Sequence, residues 1–326
     1  MSAAPGPVLA VEGLSLTIGP ARVVDGVTFD LGPREILALV GESGCGKSLT
    51  ALGIMRLLPP VARCAGGRVL LEGDDLLALS EAEMRRVRGA RVAIVFQEPA
   101  SSLDPLMTVG AQLIEALRAH RALSRDAARG RAGALLEAVG IAEPARRLRQ
   151  YPFELSGGMC QRVMIATALA GQPAVLLADE PTTALDVTIQ AQILRLIKEL
   201  RARTGTAVLL ITHDMGVVAD MADRVLVMYA GRIVEAAPVE ALFASPRHPY
   251  TWLLLRSLPR LDDLPKARLP IIEGTVPGVG TWPAGCRFAP RCPLADARCR
   301  EVEPGLTPIG EGRAVACWHH DRVGAA

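Results

Sequence analysis

The eight residues from Gly41 to Ser48, GESGCGKS, constrain the fold of this chain more than any other segment. They fit the pattern G-x-x-x-x-G-K-[ST] and stand between an apolar run, Ile36–Val40, and a helical stretch, Leu49–Leu58. Glycines in this pattern let backbone N–H groups turn toward phosphate oxygens, and the following helix presents its positive N-terminus. The segment therefore predicts a strand–loop–helix unit that binds a nucleoside triphosphate together with Mg²⁺.

The side chains at the end of this loop have separate expected roles. We expect Lys47 to contact the β- and γ-phosphates and the Ser48 hydroxyl to ligate Mg²⁺. Lysine is rare in this chain, with three lysines against 33 arginines, so a lysine at the position that the motif requires carries weight. The predicted ATP-binding residues are Gly41, Ser43, Gly44, Cys45, Gly46, Lys47, Ser48 and Leu49.

A second apolar run ends in two carboxylates. Val175–Ala178 is suited to a buried strand, and Asp179 and Glu180 follow it directly. In phosphoryl transfer, carboxylates at such a position hold Mg²⁺ through water and orient the attacking water. We therefore expect Asp179 to contribute to the Mg²⁺ site and Glu180 to act on the water.

The apolar pattern divides the chain into three stretches. Residues 8–235 alternate short apolar runs with helical periodicity, which predicts an α/β fold, and residues 98–160 show helical stripes without a strand pattern. From Pro238 onward the chain holds 12 of its 24 prolines and four of its seven cysteines, which predicts a loop-rich appendage. The predicted domains are residues 1–237, with a helical subdomain at about 98–160, and residues 238–326.

The segment Leu155–Gly158, LSGG, precedes another helical stretch and offers a second anion site made of backbone N–H groups. Two anion sites beside a single phosphate-binding loop suggest that each nucleotide is shared between two chains. With this segment the sequence resembles the ATP-binding-cassette (ABC) ATPases, with six motifs in the family's order over about residues 8–235. The motifs are the P-loop Gly41–Ser48, a glutamine loop at Gln97, the signature Leu155–Gly158, the Walker B strand Val175–Glu180, a D-loop Ala184-Leu185-Asp186 and a switch histidine, His213.

The resemblance implies a P-loop NTPase core that hydrolyses ATP with Mg²⁺. Gln97 is then expected to contact Mg²⁺ or the attacking water, and His213 to contact the γ-phosphate. Asp186 is expected to link the two sites of a dimer. The implied catalytic residues are Glu180, His213 and Gln97, the Mg²⁺ residues are Ser48, Gln97 and Asp179, and the residues that act on the opposite chain's nucleotide are Ser156, Gly157 and Gly158. One departure is that residues 16–24 lack the aromatic residue on which many family members stack adenine.

Further strings resemble the dipeptide/oligopeptide importer ATPases: Val95–Pro99, Tyr151–Glu154, Asp179–Thr188 and His248–Thr251. This resemblance implies a subunit that powers import of di- or oligopeptides and lies peripherally at the cytoplasmic face of the inner (plasma) membrane. Its implied partners are a second ABC ATPase subunit (a copy or a paralogue), two transmembrane permease subunits and an extracytoplasmic solute-binding protein. Nickel importers share much of the core, so an ATPase for nickel or another small solute remains the alternative.

Composition and length argue against other classes of protein. The net charge of +2 gives no electrostatic case for a nucleic-acid binder, and no stretch approaches the roughly 20 apolar residues of a membrane span. The first residues do not have the pattern of a secretory signal. An ABC-type ATPase acting on DNA requires a long coiled coil between the P-loop and the signature. Only 107 residues separate Ser48 from Ser156, without sustained heptads.

Four cysteines, Cys286, Cys292, Cys299 and Cys317, lie within 32 residues of the appendage. In a cytoplasmic chain such clustering favours a metal site over disulfides, and the spacing is not that of a zinc ribbon. Four thiolates suit a [4Fe–4S] cluster, and the importer tail that this segment resembles implies one. Zn²⁺, with His319 or His320 in place of a cysteine, and free thiols remain open. None of these cysteines belongs to an ATPase motif, so we expect ATP binding to be independent of them.

Overall fold

The computed structural model describes residues 6–183, 185–258 and 271–324. Ala184, the first residue of the predicted D-loop, lies outside the described residues, and so do residues 259–270 of the predicted C-terminal domain. Within the described ranges, every helix is too short or too polar to cross a bilayer.

Strands and helices alternate along most of the described chain. The strands are β1 (Leu9–Ile18), β2 (Ala21–Leu31), β3 (Ile36–Val40), β4 (Ala62–Leu71), β5 (Asp74–Asp75), β6 (Val92–Val95), β7 (Val175–Asp179), β8 (Ala207–Ile211), β9 (Arg224–Tyr229), β10 (Arg232–Pro238), β11 (Thr307–Gly310) and β12 (Arg313–Val315). The helices are α1 (Lys47–Ile54), α2 (Glu81–Val87), α3 (Pro99–Ser102), α4 (Val109–Ala119), α5 (Arg125–Ala138), α6 (Pro144–Arg147), α7 (Gly157–Leu169), α8 (Val187–Thr204), α9 (Met215–Met221), α10 (Val239–Ala244), α11 (Pro249–Arg256) and α12 (Ala297–Glu301), with 3₁₀ turns at Pro152–Glu154 and Ala289–Arg291.

The contacts within the chain define two compact units. The first contains the described residues of 1–9, 30–35 and 70–211, and the second contains those of 10–29, 36–69 and 212–326. These units do not coincide with the domains expected from the sequence, whose boundaries stay a prediction.

The first unit contains three parallel strands and a group of helices. β7 pairs in parallel with β6 (Val92↔Val175) and with β8 (Val175↔Ala207), and all five residues of both β7 and β8 are buried. Strands buried on both faces appear in a sequence as continuous apolar runs, as Val175–Ala178 does. α7 packs against β6 and against α3, α4 and α5, which explains why it is buried on most sides.

The second unit contains the mainly antiparallel strands β9, β10, β11 and β12. β10 pairs with β9 and with β12, β12 pairs with β11, and β3 runs parallel to β9. The proline-rich tail therefore contributes two strands to a sheet as well as loops. Two aromatic residues of the tail, Tyr250 and Phe288, enter the core of this unit. They pack on each other and on Tyr229 of β9, and all three residues are at most 1% exposed.

A buried arginine of the tail, the C-terminal part after Pro238, bonds to the rest of the second unit. Arg287, with a side chain 8% exposed, forms an ion pair with Asp25 of β2 and donates to the carbonyl oxygen of Ala230 at 2.6 Å. Trp282 donates from Nε1 to the carbonyl oxygen of Arg22 at 3.1 Å. The tail is thus an integral part of this unit.

Candidate functional site

The P-loop follows β3 and leads into α1, as the sequence predicts. Its turn depends on glycine at two positions. A Cβ atom at Gly41 would overlap the carbonyl oxygen of Met228, and Gly46 has φ = 108° with the carbonyl oxygen of Val23 3.0 Å from the position of a Cβ. Other residues would strain the backbone at Gly46 and collide with neighbouring backbone at Gly41. The glycines of the motif therefore fix the path of the loop.

Lys47 bends back over this loop. Its side chain is 5% exposed, and its Nζ donates to the carbonyl oxygens of Gly41 at 2.7 Å and Glu42 at 3.1 Å. The Cys45 sulfur lies 3.8 Å from the same Nζ, and burial raises the pKa of this thiol, which stays neutral. The ammonium group is thus held at the loop, the position from which such a lysine reaches phosphate oxygens.

The end of β7 brings two predicted catalytic side chains into contact. Glu180 Oε2 accepts a hydrogen bond from Gln97 Nε2 at 3.0 Å and another from Thr183 Oγ1 at 2.8 Å. Glu180 also has φ = 45°, a left-handed conformation that costs a non-glycine residue about 1–3 kcal/mol and is concentrated at functional sites. Asp179, the preceding residue, is 6% exposed. Thr183 was not predicted, because a threonine after a strand end has no distinctive pattern.

The signature and D-loop residues stand at the starts of two helices. Ser156 caps α7, with Oγ accepting from the N–H of Met159 at 3.4 Å, and Gly157 and Gly158 form the first turn. Asp186 caps α8, with Oδ1 accepting from the N–H of Ile189 at 2.9 Å. The first turn of α7 therefore presents backbone N–H groups of the kind that bind anions at helix starts, and anion binding at this turn stays a prediction.

The two units divide the predicted nucleotide residues between them. The exposed His213 follows β8, and the next residue, Asp214, caps α9 through the N–H groups of Gly216 and Val217. The second unit carries the P-loop residues Gly41–Leu49 and His213, and the first unit carries Gln97, Ser156–Gly158, Asp179, Glu180 and Asp186. Within the first unit, Gln97 and Glu180 are joined by a hydrogen bond. The catalytic roles of Glu180, His213 and Gln97 stay predictions.

The four tail cysteines surround one small cavity in the second unit. Cys286, Cys292, Cys299 and Cys317 all line it, together with Phe288. Burial raises the pKa of Cys292 to about 11 and that of Cys317 to about 12, and the neighbouring thiols add to the increase. The thiols are therefore protonated near neutral pH, and a cation among them favours their deprotonation.

A carboxylate and a histidine lie beside one of these cysteines. The ligand atoms of Asp296, Cys299 and His319 lie within 4.8 Å of one another, and His319 Nε2 is 2.9 Å from Asp296 Oδ2. His319 is one of the zinc ligands expected from the sequence, whereas Asp296 was not predicted because a lone aspartate has no distinctive pattern. Among the described residues, this group includes neither His320 nor a second cysteine.

Two family descriptions match the chain. "ABC transporter" matches residues 24–183, and "Oligopeptide/dipeptide transporter, C-terminal region" matches residues 234–299. The chain is 56% identical over 290 residues to a probable peptide ABC transporter ATP-binding protein of Sinorhizobium fredii (89% of this chain, 87% of the relative). It is 50% identical over 318 residues to the dipeptide transport ATP-binding protein DppD of Bacillus subtilis (97% of this chain, 91% of the relative).

Solved structures match a large part of the chain. A dimeric ATP-binding cassette in a post-hydrolysis state, bound to ADP and Pi, aligns with a TM-score of 0.63 and 28% identity (71% of this chain, 98% of that chain). The protein cbiO1 from Clostridium perfringens, part of the ABC transporter complex cbiONQ, aligns with a TM-score of 0.63 and 27% identity (74% of this chain, 92% of that chain).

Proposed function

Since this chain belongs to the ABC transporter ATP-binding subunits of the dipeptide/oligopeptide importer family, we propose that its hydrolysis of ATP powers the import of di- or oligopeptides through a membrane complex. The observation that carries this proposal is the presence, in one chain, of an ABC ATPase core and the C-terminal region of oligopeptide/dipeptide transporters. The core supplies hydrolysis of ATP, and the C-terminal region supports peptides as the transported solute.

The geometry of each unit supports specific roles in hydrolysis. Lys47 and the N–H groups of the P-loop hold the phosphates, and Ser48 is assigned to Mg²⁺ with Asp179 and Gln97. Mg²⁺ held by these residues would neutralise charge that develops on the phosphate oxygens. Glu180 orients the attacking water, because two donors on Oε2, from Gln97 and Thr183, fix the direction of its carboxylate. His213 contacts the γ-phosphate.

We assign the signature turn of α7 to the nucleotide of a second ATPase subunit. Ser156, Gly157 and Gly158 provide the capped helix start that contacts the γ-phosphate across the dimer, and Asp186 links the two sites. The dimeric cassette with ADP and Pi supports this arrangement. The remaining partners are two transmembrane permease subunits and an extracytoplasmic solute-binding protein, which place the chain at the cytoplasmic face of the membrane.

We also infer that the four tail cysteines hold a [4Fe–4S] cluster. All four cysteines line one cavity of the second unit. Four thiolates are the ligand set of such a cluster. A zinc ion bound by Asp296, Cys299 and His319, whose ligand atoms lie within 4.8 Å of one another, would leave the other three thiols unused.

Metal analysis of protein purified without oxygen tests the cluster. We expect brown protein with about four irons per chain. Cys286→Ser, Cys292→Ser, Cys299→Ser and Cys317→Ser are each expected to lower the iron content, while Cys64→Ser, which changes an exposed cysteine of β4, is expected to leave it unchanged. Stoichiometric zinc without iron would replace the cluster by a zinc site, and protein without metal would refute both.

Isolation of the intact membrane complex tests the proposed function. The tagged chain is expected to co-purify with permease subunits, and peptides are expected among the solutes that mass spectrometry identifies in the complex. Lys47→Ala should abolish ATP hydrolysis by this complex because the phosphates lose the side-chain ammonium group that contacts them. Lys198→Ala, the same change within α8, is the matched control and should retain activity. A complex that carries another class of solute would contradict the peptide assignment.

A further inference from the structure

Two residues of the C-terminal part contact the P-loop directly, all within the second unit. Tyr250 Oη accepts from the N–H of Glu42 at 2.9 Å, and Arg291 donates from Nη1 to Glu42 Oε2 at 2.9 Å. Lys47 Nζ donates to the carbonyl oxygen of the same Glu42 at 3.1 Å. Glu42 is therefore held at its N–H group, its carbonyl oxygen and its side chain.

Arg291 is itself fixed by several partners. Its side chain is 5% exposed, and it donates to the carbonyl oxygens of Glu273 at 2.9 Å and Ile272 at 3.2 Å. It also donates to Tyr229 Oη at 3.3 Å. A guanidinium group held in this way by carbonyl oxygens presents Nη1 to Glu42 in one orientation. The ion pair is consequently a rigid contact of the P-loop.

Tyr250 is fixed by packing. Its side chain is fully buried, with its ring centroid 4.8 Å from that of Tyr229 and 5.4 Å from that of Phe288. Burial raises the pKa of Tyr250 far above its usual range, so the phenol stays neutral and its oxygen accepts the N–H of Glu42. Without this oxygen, that N–H group would lose its partner in the second unit.

The same short segment carries Arg291 and two of the clustered thiols. Cys286 and Cys292 flank a pair of turns in which the N–H of Ala289 donates to the carbonyl oxygen of Cys286 at 2.9 Å and the N–H of Arg291 donates to that of Phe288 at 2.9 Å. Cys292 directly follows Arg291. The thiols line the cysteine cavity while Arg291 contacts the P-loop, so the position of Arg291 depends on how this segment is held.

We propose that Arg291 and Tyr250 are positioning residues for the P-loop, and that the four-cysteine centre sets the affinity for ATP by holding the segment that carries Arg291. The proposal rests on the ATP and cluster assignments above. It also revises the expectation that ATP binding is independent of the tail cysteines.

The physical link is the fraction of molecules whose P-loop is in the binding conformation. When Glu42 is released, the carbonyl oxygens of Gly41 and Glu42 that orient Lys47 are no longer fixed. ATP must then order the loop as it binds, and the apparent Kd rises in inverse proportion to the competent fraction. If that fraction falls to about one in ten, the Kd rises about tenfold.

Equilibrium binding of a fluorescent ATP analogue to the full chain tests the positioning role. Arg291→Ala is expected to raise the Kd about 3- to 10-fold, whereas Arg291→Lys, which keeps the charge, should raise it less. Tyr250→Phe keeps the packed ring, removes only the acceptor oxygen and should also raise the Kd. Arg300→Ala, which changes an exposed tail arginine, is the matched control and should leave the Kd unchanged.

A double-mutant cycle separates a direct contact from a general disturbance of the tail. If Arg291 acts through Glu42, Arg291→Ala combined with Glu42→Ala should bind ATP no more weakly than the weaker of the two single variants. If the losses of ATP-binding free energy in the two single variants added fully in the double variant, the positioning role would be overturned. An unchanged Kd in Arg291→Ala, or an equal loss in Arg300→Ala, would also overturn it.

Removal of one thiol tests the link to the centre. Cys292→Ser is expected to lower the metal content and raise the Kd about as much as Arg291→Ala does, and the combined variant should show no further increase. A variant that loses metal but keeps the wild-type Kd would overturn control by the centre. A wild-type chain that does not bind the analogue at all would instead contradict the proposed ATPase function.

Discussion

Replacement of Glu180 by glutamine separates hydrolysis from ATP binding. Glutamine has nearly the shape of glutamate and keeps one oxygen that accepts from Gln97 Nε2 and Thr183 Oγ1, now 3.0 and 2.8 Å from Oε2. The change removes the negative charge and the basicity of the side chain. We therefore expect the end of β7 to keep its conformation while the attacking water is no longer activated.

The expected magnitudes follow from these two contacts. A positioned base contributes roughly 10²–10⁴ in rate, so the barrier should rise by about 3–5 kcal/mol. Hydrogen bonds to an ionised acceptor are roughly twice as strong as neutral ones, which contribute about 1 kcal/mol each. The loss of folding stability from the two bonds should thus stay within about 2 kcal/mol. Lys47 and the P-loop are unchanged, so the affinity for ATP should be nearly that of the wild type.

Single-turnover hydrolysis and light scattering provide the assay. Glu180→Gln is expected to bind ATP, to hydrolyse it at least about 100-fold more slowly, and to accumulate as an ATP-bound dimer. Glu199→Gln, the same change at an exposed position of α8, should behave as the wild type. Hydrolysis by Glu180→Gln within about tenfold of the wild-type rate, only about 1.4 kcal/mol in barrier, would refute the role assigned to Glu180.

Three further predictions concern assembly and stability. The wild-type chain should dimerise chiefly with ATP present, because the nucleotide supplies much of the contact between the P-loop and the signature turn; light scattering that shows an equally tight dimer without ATP would contradict this. Burial lowers the pKa of His248 to about 3, so the unfolded state binds an extra proton below about pH 6.5 and folding stability falls as the pH falls through this window. In urea unfolding, the contribution of His248 should lower the free energy of unfolding by about 2 kcal/mol between pH 6.5 and pH 5. This contribution should be absent in His248→Gln. Asp25→Asn leaves the buried Arg287 with less compensating charge and should lower the free energy of unfolding by about 2 kcal/mol at pH 7. Asp30→Asn, at an exposed position of the same strand, should lower it less.

The nucleotide motifs could be predicted from the sequence because their physical requirements are local. The P-loop needs glycine at Gly41 and Gly46, where a side chain collides or strains the backbone, and the buried strand β7 leaves a continuous apolar run. The α/β fold with a P-loop ATPase core and the importer family are confirmed. The order of the six motifs along the chain is enough to indicate the fold and the family, because it does not depend on tertiary contacts.

The contacts made by the tail could not be predicted in the same way. Glu42 and Arg291 are 249 residues apart, and no periodic pattern relates an arginine between prolines and cysteines to a residue of the P-loop. Proline density predicted loops, yet the tail also forms β11 and β12. β11 tolerates Pro308 because it lies at the edge of the sheet, where a missing N–H group is not needed.

Peptide uptake by the reconstituted complex tests the central claim most directly. The complex is placed in lipid vesicles with ATP trapped on the side of this subunit, and a radiolabelled peptide mixture with the solute-binding protein is added on the other side. We predict peptide accumulation that requires ATP and disappears with Glu180→Gln, which still binds ATP. Hydrolysis of ATP without accumulation of any peptide, in a complex that instead accumulates another solute such as nickel ions, would contradict the account.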